Sequence, residues 1–187
     1  MQKNKLAIFD LDGTLFDTKM VNYLAYNKAL EKYNISIDYD YFCKNCNGKK
    51  YTQFMPLIHN FTEEELKDIH KNKKDLYSTY LDKAICNEHL FNIIDCIKND
   101  YYIALVTTAS KKNTYEILDK FNKKDVFDYI LTQDDIKNPK PDPEGFLKAI
   151  EHYGIAKEDV IIFEDSNVGV EAAKKCTNNV YVIKGYN

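Results

Sequence analysis

The stretch Ile8–Leu15 reads Ile-Phe-Asp-Leu-Asp-Gly-Thr-Leu and closes a short apolar run with two carboxylates, Asp10 and Asp12. Residues i and i+2 of an extended segment point to the same side, so both acids can face one small site where a strand ends. Paired carboxylates can divide the work of a nucleophile or metal ligand and of an acid and base. Because close carboxylates repel each other, a metal ion or a lysine is expected nearby.

Further apolar runs of strand length recur along the chain, with helical patterns between them. The predicted strands are residues 5–10, 102–106, 129–132, 160–163 and 180–183. Buried strands that alternate with helices are typical of a parallel sheet covered on both faces. We therefore expect an α/β fold, a three-layer Rossmann-like parallel sheet core in residues 1–16 and 88–187. Helical spacing dominates the intervening sequence and predicts a helical insert, residues 17–87, after strand one.

Helix boundary signals support this division. Thr62 followed by Glu65 is typical of a capping box at a helix start. Asp142 is predicted as the N-cap of a later helix, with Pro143 in its first turn. Gly154 is placed to end that helix.

Polar residues follow the predicted strands, and the carboxyl ends of such strands form the ligand-binding edge of a parallel sheet. These residues are Asp10, Asp12, Thr107, Thr108, Lys140, Glu164 and Asp165. Oxygen ligands from carboxylates suit Mg²⁺, which often binds through a few carboxylates and a substrate phosphate. The sequence thus predicts a magnesium site with Lys140 as its neighbouring cation and Thr107 as a hydroxyl donor.

The composition and net charge of the chain limit the partners and the location that we expect. The chain has 187 residues and a net charge of −3, which gives no reason to expect nucleic acid or an anionic membrane as the main partner. No apolar stretch has the length of a signal peptide core or a membrane span, so a cytoplasmic location is expected. The five cysteines are then expected as free thiols. The spacing of Cys43 and Cys46 is interpreted as coincidence, with a redox pair as the alternative.

These motifs together resemble those of the haloacid dehalogenase superfamily of phosphohydrolases, in the branch whose cap is a helical insert after the first strand. The stretches that carry the resemblance are Asp10–Leu15, Thr107, Asn138–Pro143 and Glu164–Ser166 with Gly169 behind them. Residues 17–87 match only in placement and helical character. Dehalogenases lack the second acid, so Asp12 favours phosphate-ester chemistry over cleavage of a carbon–halogen bond.

The resemblance implies a role for each site residue. Asp10 is the expected nucleophile, and Asp12 the expected acid and base. Mg²⁺ is expected on Asp10, the backbone carbonyl of Asp12 and Asp165, with Glu164 as a further or outer ligand. Lys140 is expected to neutralise Asp10 and the phosphoryl oxygens. Thr107, or Thr108 in its place, is expected to donate a hydrogen bond to phosphate.

The expected substrate is a small phosphorylated metabolite, and the expected assembly is a monomer or a weak homodimer. A hexose-phosphate mutase of the beta-phosphoglucomutase type is the alternative enzyme, but such a mutase typically holds the distal phosphate with a cap arginine. The corresponding stretch has Lys49 and Lys50 instead, which can bind a substrate phosphate only as point charges. A non-catalytic phosphate-binding protein is the alternative of another class, although it would not need both a nucleophile and an acid.

Overall fold

The computed structural model describes residues 3–185, and its centre is a five-stranded sheet. The strands are β1 (Lys5–Phe9), β2 (Phe16–Asp17), β3 (Ile85–Cys86), β4 (Tyr101–Val106), β5 (Tyr129–Leu131), β6 (Val160–Glu164) and β7 (Val180–Val182). The sheet has the order β5-β4-β1-β6-β7, and all of its neighbouring strands are parallel. Strands β2 and β3 form a separate antiparallel pair.

Eight α-helices lie in the described part of the chain, four of them before β3 and four after it. They are α1 (Lys19–Leu30), α2 (Tyr39–Asn45), α3 (Tyr51–Phe54), α4 (Glu63–Leu76), α5 (Glu88–Ile97), α6 (Lys111–Lys120), α7 (Glu144–Tyr153) and α8 (Asn167–Lys174). The α/β fold class that the sequence predicts is confirmed.

The central strand β1 is buried on both faces, which explains its nearly continuous apolar sequence. Leu6 and Ile8 pack in one cluster with Phe146 of α7 and other buried apolar residues. Phe9 points to the opposite face and stacks on Phe163 of β6, with ring centroids 4.6 Å apart. Burying each such side chain stabilises the fold by about 1.5–3 kcal/mol. The strand that carries Asp10 at its end is therefore held firmly in place.

The chain divides into a helical unit, Thr18–Ala84, and a unit that contains the sheet. The predicted insert, residues 17–87, extends further at both ends than this helical unit. The difference has a physical reason, because Asp17 pairs with Ile85 in the short ladder of β2 and β3. Strands of two residues have too little sequence to produce a recognisable alternation.

The helical unit has an apolar core of its own. Its buried residues are Tyr26, Ala29, Leu30, Ile37, Phe42, Cys46, Phe54, Met55 and Ile69. Helix α4 starts as predicted, because Thr62 Oγ1 accepts from the Glu65 backbone N–H and the Glu65 carboxylate accepts from the Thr62 N–H.

Helix α7 corrects one predicted boundary and confirms another. It begins at Glu144 with Pro143 as N-cap, so the prediction that Asp142 is the N-cap residue is wrong. Asp142 still accepts a hydrogen bond from the Glu144 N–H at 2.9 Å, one residue further out than a regular cap. Gly154 ends the helix in a left-handed conformation at φ +62°, as predicted.

The predicted strand ends and the predicted state of the cysteines differ little from the structure. Strand β1 stops at Phe9 rather than at residue 10, and β7 stops at Val182 rather than at residue 183. All five cysteines are free thiols. Within residues 3–185, no helix combines the length and the apolar character that a bilayer span requires.

His70 gives the helical unit a pH-dependent stability. Its ring stacks on Tyr51 at 4.0 Å, and its Nδ1 atom lies 3.4 Å from the Tyr26 hydroxyl. Burial, followed by the charges of Lys74 and Lys73, lowers the pKa of His70 to about 4. His70 therefore binds a proton near pH 6.5 in the unfolded chain but only near pH 4 in the folded protein. Stability falls as the pH falls through this window.

We expect His70→Phe, which keeps a ring against Tyr51, to remove this acid sensitivity. Because His70 is partly exposed, the protection at pH 5 relative to pH 7 should be about 1 kcal/mol after solvent screening. Urea unfolding of both proteins at the two pH values measures it, with His89→Phe as an exposed control. Identical pH slopes for wild type and His70→Phe would contradict the assignment.

Candidate active site

Asp10 lies directly after β1 at the carboxyl edge of the sheet, where it is buried. Its backbone N–H donates to the Phe163 carbonyl at 3.0 Å, which continues the contact between β1 and β6 past the end of the strand. Its side-chain Oδ1 accepts a hydrogen bond from Lys140 Nζ at 2.5 Å. Both the backbone and the carboxylate of Asp10 are therefore fixed.

Lys140 places a cation beside Asp10 and Glu164. Its Nζ donates to Asp10 Oδ1 and, at 2.7 Å, to Glu164 Oε1. The carbonyl of Val106 accepts a third bond at 3.3 Å. Burial opposes the charge of this 7% exposed side chain, but Asp10 and Glu164 outweigh it and hold the pKa of the ammonium above its usual range. Lys140 therefore carries a full positive charge between two buried carboxylates.

Glu164, the last residue of β6, is nearly inaccessible and has both carboxylate oxygens engaged. Oε1 accepts from Lys140, and Oε2 accepts from the Ser166 N–H at 2.7 Å and from its hydroxyl at 3.1 Å. A Cβ atom at Gly169 would lie only 1.7 Å from Oε1, so this position requires a glycine while the carboxylate stays there. The sequence predicts that Glu164 and Lys140 belong to one cluster, but it does not predict the direct bond between them.

Asp165 lies against the loop that follows β1. The Thr14 hydroxyl donates to Asp165 Oδ1 at 3.3 Å. A Cβ atom at Gly13 would fall 2.0 Å from Asp165 Oδ2, and the φ of Gly13 is +90°, which L side chains rarely adopt. Burial, followed by the neighbouring charge of Glu164, raises the pKa of Asp165 to about 6. Thr14 is a site contact that the sequence analysis did not identify.

Asp12 lies in a tight loop between β1 and β2. The Gly13 N–H donates to the Phe16 carbonyl at 2.8 Å, and the Phe16 N–H donates to the Leu11 carbonyl at 3.0 Å. From the start of α5, Asn87 Nδ2 donates to the Thr14 carbonyl at 3.1 Å. These bonds hold the half-buried Asp12 in a defined place two residues after Asp10.

Three carboxylates converge at this edge of the sheet. One oxygen each from Asp10, Glu164 and Asp165 lies within 4.8 Å of the others. Burial, the largest influence, raises the pKa of Asp10 well above its usual range, and the two neighbouring acids add to this rise against the opposing charge of Lys140. One lysine cannot neutralise all three carboxylates in the ionised form that a metal ion binds. Such a set of hard oxygen donors fits Mg²⁺.

The two candidate phosphate-binding threonines differ in exposure. Thr107 is buried, its N–H donates to the Leu131 carbonyl at 3.0 Å, and its Oγ1 accepts from the Ala109 N–H at 3.0 Å. That last bond uses a lone pair of the hydroxyl and leaves its hydrogen available to a phosphoryl oxygen. Thr108 is exposed.

Lys49 and Lys50 lie in the helical unit, and both are exposed. Lys50 precedes α3, and its backbone N–H donates to Gln53 Oε1 at 3.3 Å. The proposed contact of these lysines with a substrate stays a prediction.

Comparison with known proteins identifies the family. The model of the haloacid dehalogenase-like hydrolases matches residues 7–183. A phosphorylated carbohydrates phosphatase of Thermotoga maritima is 31% identical over 175 residues, which cover 90% of this chain and 79% of that protein. The beta-phosphoglucomutase of Bacillus subtilis is 27% identical over 179 residues, which cover 91% of this chain and 79% of that protein.

A solved structure shares the fold at lower identity. The structure of CbbY from Rhodobacter sphaeroides in complex with phosphate superposes with a TM-score of 0.84 at 21% identity and covers 98% of this chain and 88% of that one. The match to the family model over residues 7–183 and the 31% identity to the Thermotoga maritima phosphatase show that the chain is an enzyme and belongs to the haloacid dehalogenase-like hydrolase family.

Proposed function

We propose that the chain is a Mg²⁺-dependent phosphatase that cleaves small phosphorylated metabolites through an aspartyl phosphate on Asp10. The observation that carries this proposal is the buried Asp10 carboxylate, which Lys140 holds by one oxygen while Asp12 follows two residues later. Lys140 fixes Oδ1 and thereby sets the direction of the second oxygen. A fixed, partly desolvated carboxylate is suited to nucleophilic attack.

In the first step a carboxylate oxygen of Asp10 attacks phosphorus, and the bond from phosphorus to the leaving oxygen breaks as Asp12 gives that oxygen its proton. In the second step Asp12 takes a proton from water, whose oxygen attacks the same phosphorus. The bond from phosphorus to Asp10 then breaks and releases inorganic phosphate. Lys140 and the hydroxyl of Thr107, or of Thr108, stabilise the phosphoryl oxygens, because such transfers depend mostly on positioning and charge.

Mg²⁺ would neutralise charge on the phosphoryl group and on the acids around it. We assign it to Asp10, Asp165 and the backbone carbonyl of Asp12. Both oxygens of Glu164 already accept hydrogen bonds from Lys140 and Ser166. Glu164 is therefore proposed as the residue that holds Lys140, with at most an outer role toward the metal.

The assignment of Asp165 predicts a metal-affinity defect. We expect Asp165→Asn to raise the Mg²⁺ concentration that gives half-maximal activity by at least about tenfold, because a formal charge leaves the ligand set. Activity on an aryl phosphate titrated with Mg²⁺, together with calorimetric Mg²⁺ binding, measures it. Asp125→Asn, at an exposed position, is the matched control. An unchanged Mg²⁺ requirement in Asp165→Asn would remove this residue from the site.

The mutase alternative keeps some support from the 27% identity to the beta-phosphoglucomutase of Bacillus subtilis. Phosphatase is favoured because the stretch around Lys49 and Lys50 contains no arginine, and a lysine cannot hold a distal phosphate by two parallel hydrogen bonds. Incubation with beta-glucose 1-phosphate and a trace of the bisphosphate separates the two. A phosphatase releases inorganic phosphate, whereas a mutase produces glucose 6-phosphate.

The proposed substrate class is based on the relatives of the chain. The relatives include a phosphatase of phosphorylated carbohydrates, and we propose a small phosphorylated metabolite for this chain. A cytoplasmic location and a monomer or weak homodimer complete the proposal. Release of phosphate from a panel of phosphorylated sugars, acids and nucleotides, with and without Mg²⁺, tests it. The absence of Mg²⁺-dependent turnover on the whole panel and on an aryl phosphate would overturn the proposed function.

A further inference from the structure

We propose that Glu144 is a positioning residue that clamps the loop of residues 137–143 and thereby keeps the Lys140 ammonium on Asp10 and Glu164. This inference rests on the proposed function, because it assigns Glu144 to the same site. The clamp consists of two hydrogen bonds from the loop backbone. Glu144 Oε1 accepts from the Lys137 N–H at 2.9 Å, and Oε2 accepts from the Asn138 N–H at 2.8 Å.

The composition of the loop explains why such a clamp is needed. Three of its seven residues are prolines, so its only backbone donors are those of Lys137, Asn138, Lys140 and Asp142. The Asp142 N–H donates within the loop, to the Pro139 carbonyl at 3.1 Å. Glu144 takes two of the remaining donors. A loop with so few backbone bonds of its own depends on side chains for its shape.

The carboxylate of Glu144 is itself held in place. Lys148, one turn further along α7, places its Nζ 2.8 Å from Glu144 Oε1 and donates to the Asp135 carbonyl, also at 2.8 Å. The bond from Lys148 and those from the Lys137 and Asn138 N–H groups lower the pKa of Glu144 to about 2. The clamp is therefore ionised throughout the neutral range, and the Glu144 side chain is only 17% exposed.

Helix α7 connects the clamp to the catalytic edge of the sheet. A Cβ atom at Gly145 would lie 2.9 Å from Val106 Cγ1, so the first turn of α7 fits closely against the end of β4. The Val106 carbonyl accepts from Lys140, and the Phe146 ring centroid lies 4.9 Å from Lys140 Nζ. On the far side of the loop, Lys175 donates to the Pro141 carbonyl at 2.9 Å. Glu144 thus ties the loop to the helix that contacts Lys140.

The first test measures hydrogen exchange in the loop and does not depend on enzymatic activity. In wild type, the Lys137 and Asn138 amides and the buried Lys140 ammonium are expected to exchange slowly in nuclear magnetic resonance spectra. We expect Glu144→Gln to speed exchange at all three by at least about tenfold, because an amide cannot accept both backbone bonds. Glu151→Gln, an exposed change of equal charge on the same helix, should leave them unchanged. Unchanged exchange at Lys140 in Glu144→Gln would overturn the proposal.

The second test links the clamp to catalysis. We expect Glu144→Gln to lower kcat on an aryl phosphate by about 10- to 100-fold with little change in KM. If Glu144 acts through Lys140, the same change in a Lys140→Met background should cost almost nothing further. If the kcat losses of the two single variants multiply in the double variant, Glu144 acts independently of Lys140, and the proposal is overturned.

A second variant keeps the proposal testable if Glu144→Gln does not fold. Lys148→Met leaves the Glu144 carboxylate in place but removes its cation, so smaller changes of the same kind are expected in exchange and in kcat. A failure of the proposed function is recognised separately, as a wild-type protein that releases no phosphate. In that case the exchange measurements still decide whether Glu144 positions Lys140.

Discussion

Replacing Asp10 with asparagine is expected to abolish phosphate release, with a loss of at least about 10⁴-fold in kcat. The amide is a poor nucleophile, and it cannot receive the phosphoryl group that the proposed mechanism places on Asp10. The change is nearly isosteric, so Lys140 keeps an oxygen acceptor at a position where it now donates at 2.5 Å. The loss should therefore be chemical rather than structural, which thermal unfolding of both proteins can verify.

Asp12→Asn provides a matched comparison because it removes only the proposed acid and base. An aryl phosphate with a good leaving group needs little protonation, so the first step can proceed without the acid. A rapid burst of aryl alcohol, equal to the enzyme concentration, should precede a stalled second step in this variant. Asp10→Asn should show no burst at all. Turnover by Asp10→Asn near the wild-type rate would exclude Asp10 as the nucleophile.

The sheet was predictable from sequence because its strands are buried on both faces. The runs around Ile8, Leu105 and Ile162 are too continuously apolar for a half-exposed strand, and each ends in a polar residue of the site. By contrast, β2 and β3 contain two residues each and are defined by their pairing with each other. No local pattern of that length distinguishes a strand from a loop.

The sequence predicted which polar residues lie close together at the carboxyl edge of the sheet, but not which of them contact each other. The rule that polar residues gather at this edge led to the expectation that Asp10, Lys140 and Asp165 are neighbours. It does not say which carboxylate a lysine contacts, because that depends on side-chain geometry across strands. The bond from Lys140 to Glu164 and the clamp by Glu144 both belong to this second kind of information. Gly169 shows the same limit, since its need for a missing Cβ depends on the position of Glu164.

Lys140→Met is expected to damage both stability and catalysis, because it removes the cation from a buried group of like charges. The Asp10 and Glu164 carboxylates would remain nearly inaccessible without their shared partner. Breaking a buried ion pair in this way costs about 3–5 kcal/mol, far more than the loss of an exposed one. Urea unfolding near pH 8 measures the cost. Lys98→Met, which breaks an exposed pair with Asp95, should leave the free energy of unfolding nearly unchanged.

The pH dependence of this loss separates charge repulsion from simple loss of packing. Burial already raises the pKa of Asp10, and Lys140 opposes that rise, so without Lys140 the folded protein should bind a proton at Asp10 at still higher pH than wild type does. A folded state that binds more protons gains stability as the pH falls, so the deficit of Lys140→Met should shrink between pH 8 and pH 5. Mg²⁺ should also recover part of it, since it binds only the folded site. A deficit that is independent of both pH and Mg²⁺ would mean that Lys140 matters through its packing on Phe146 rather than through its charge.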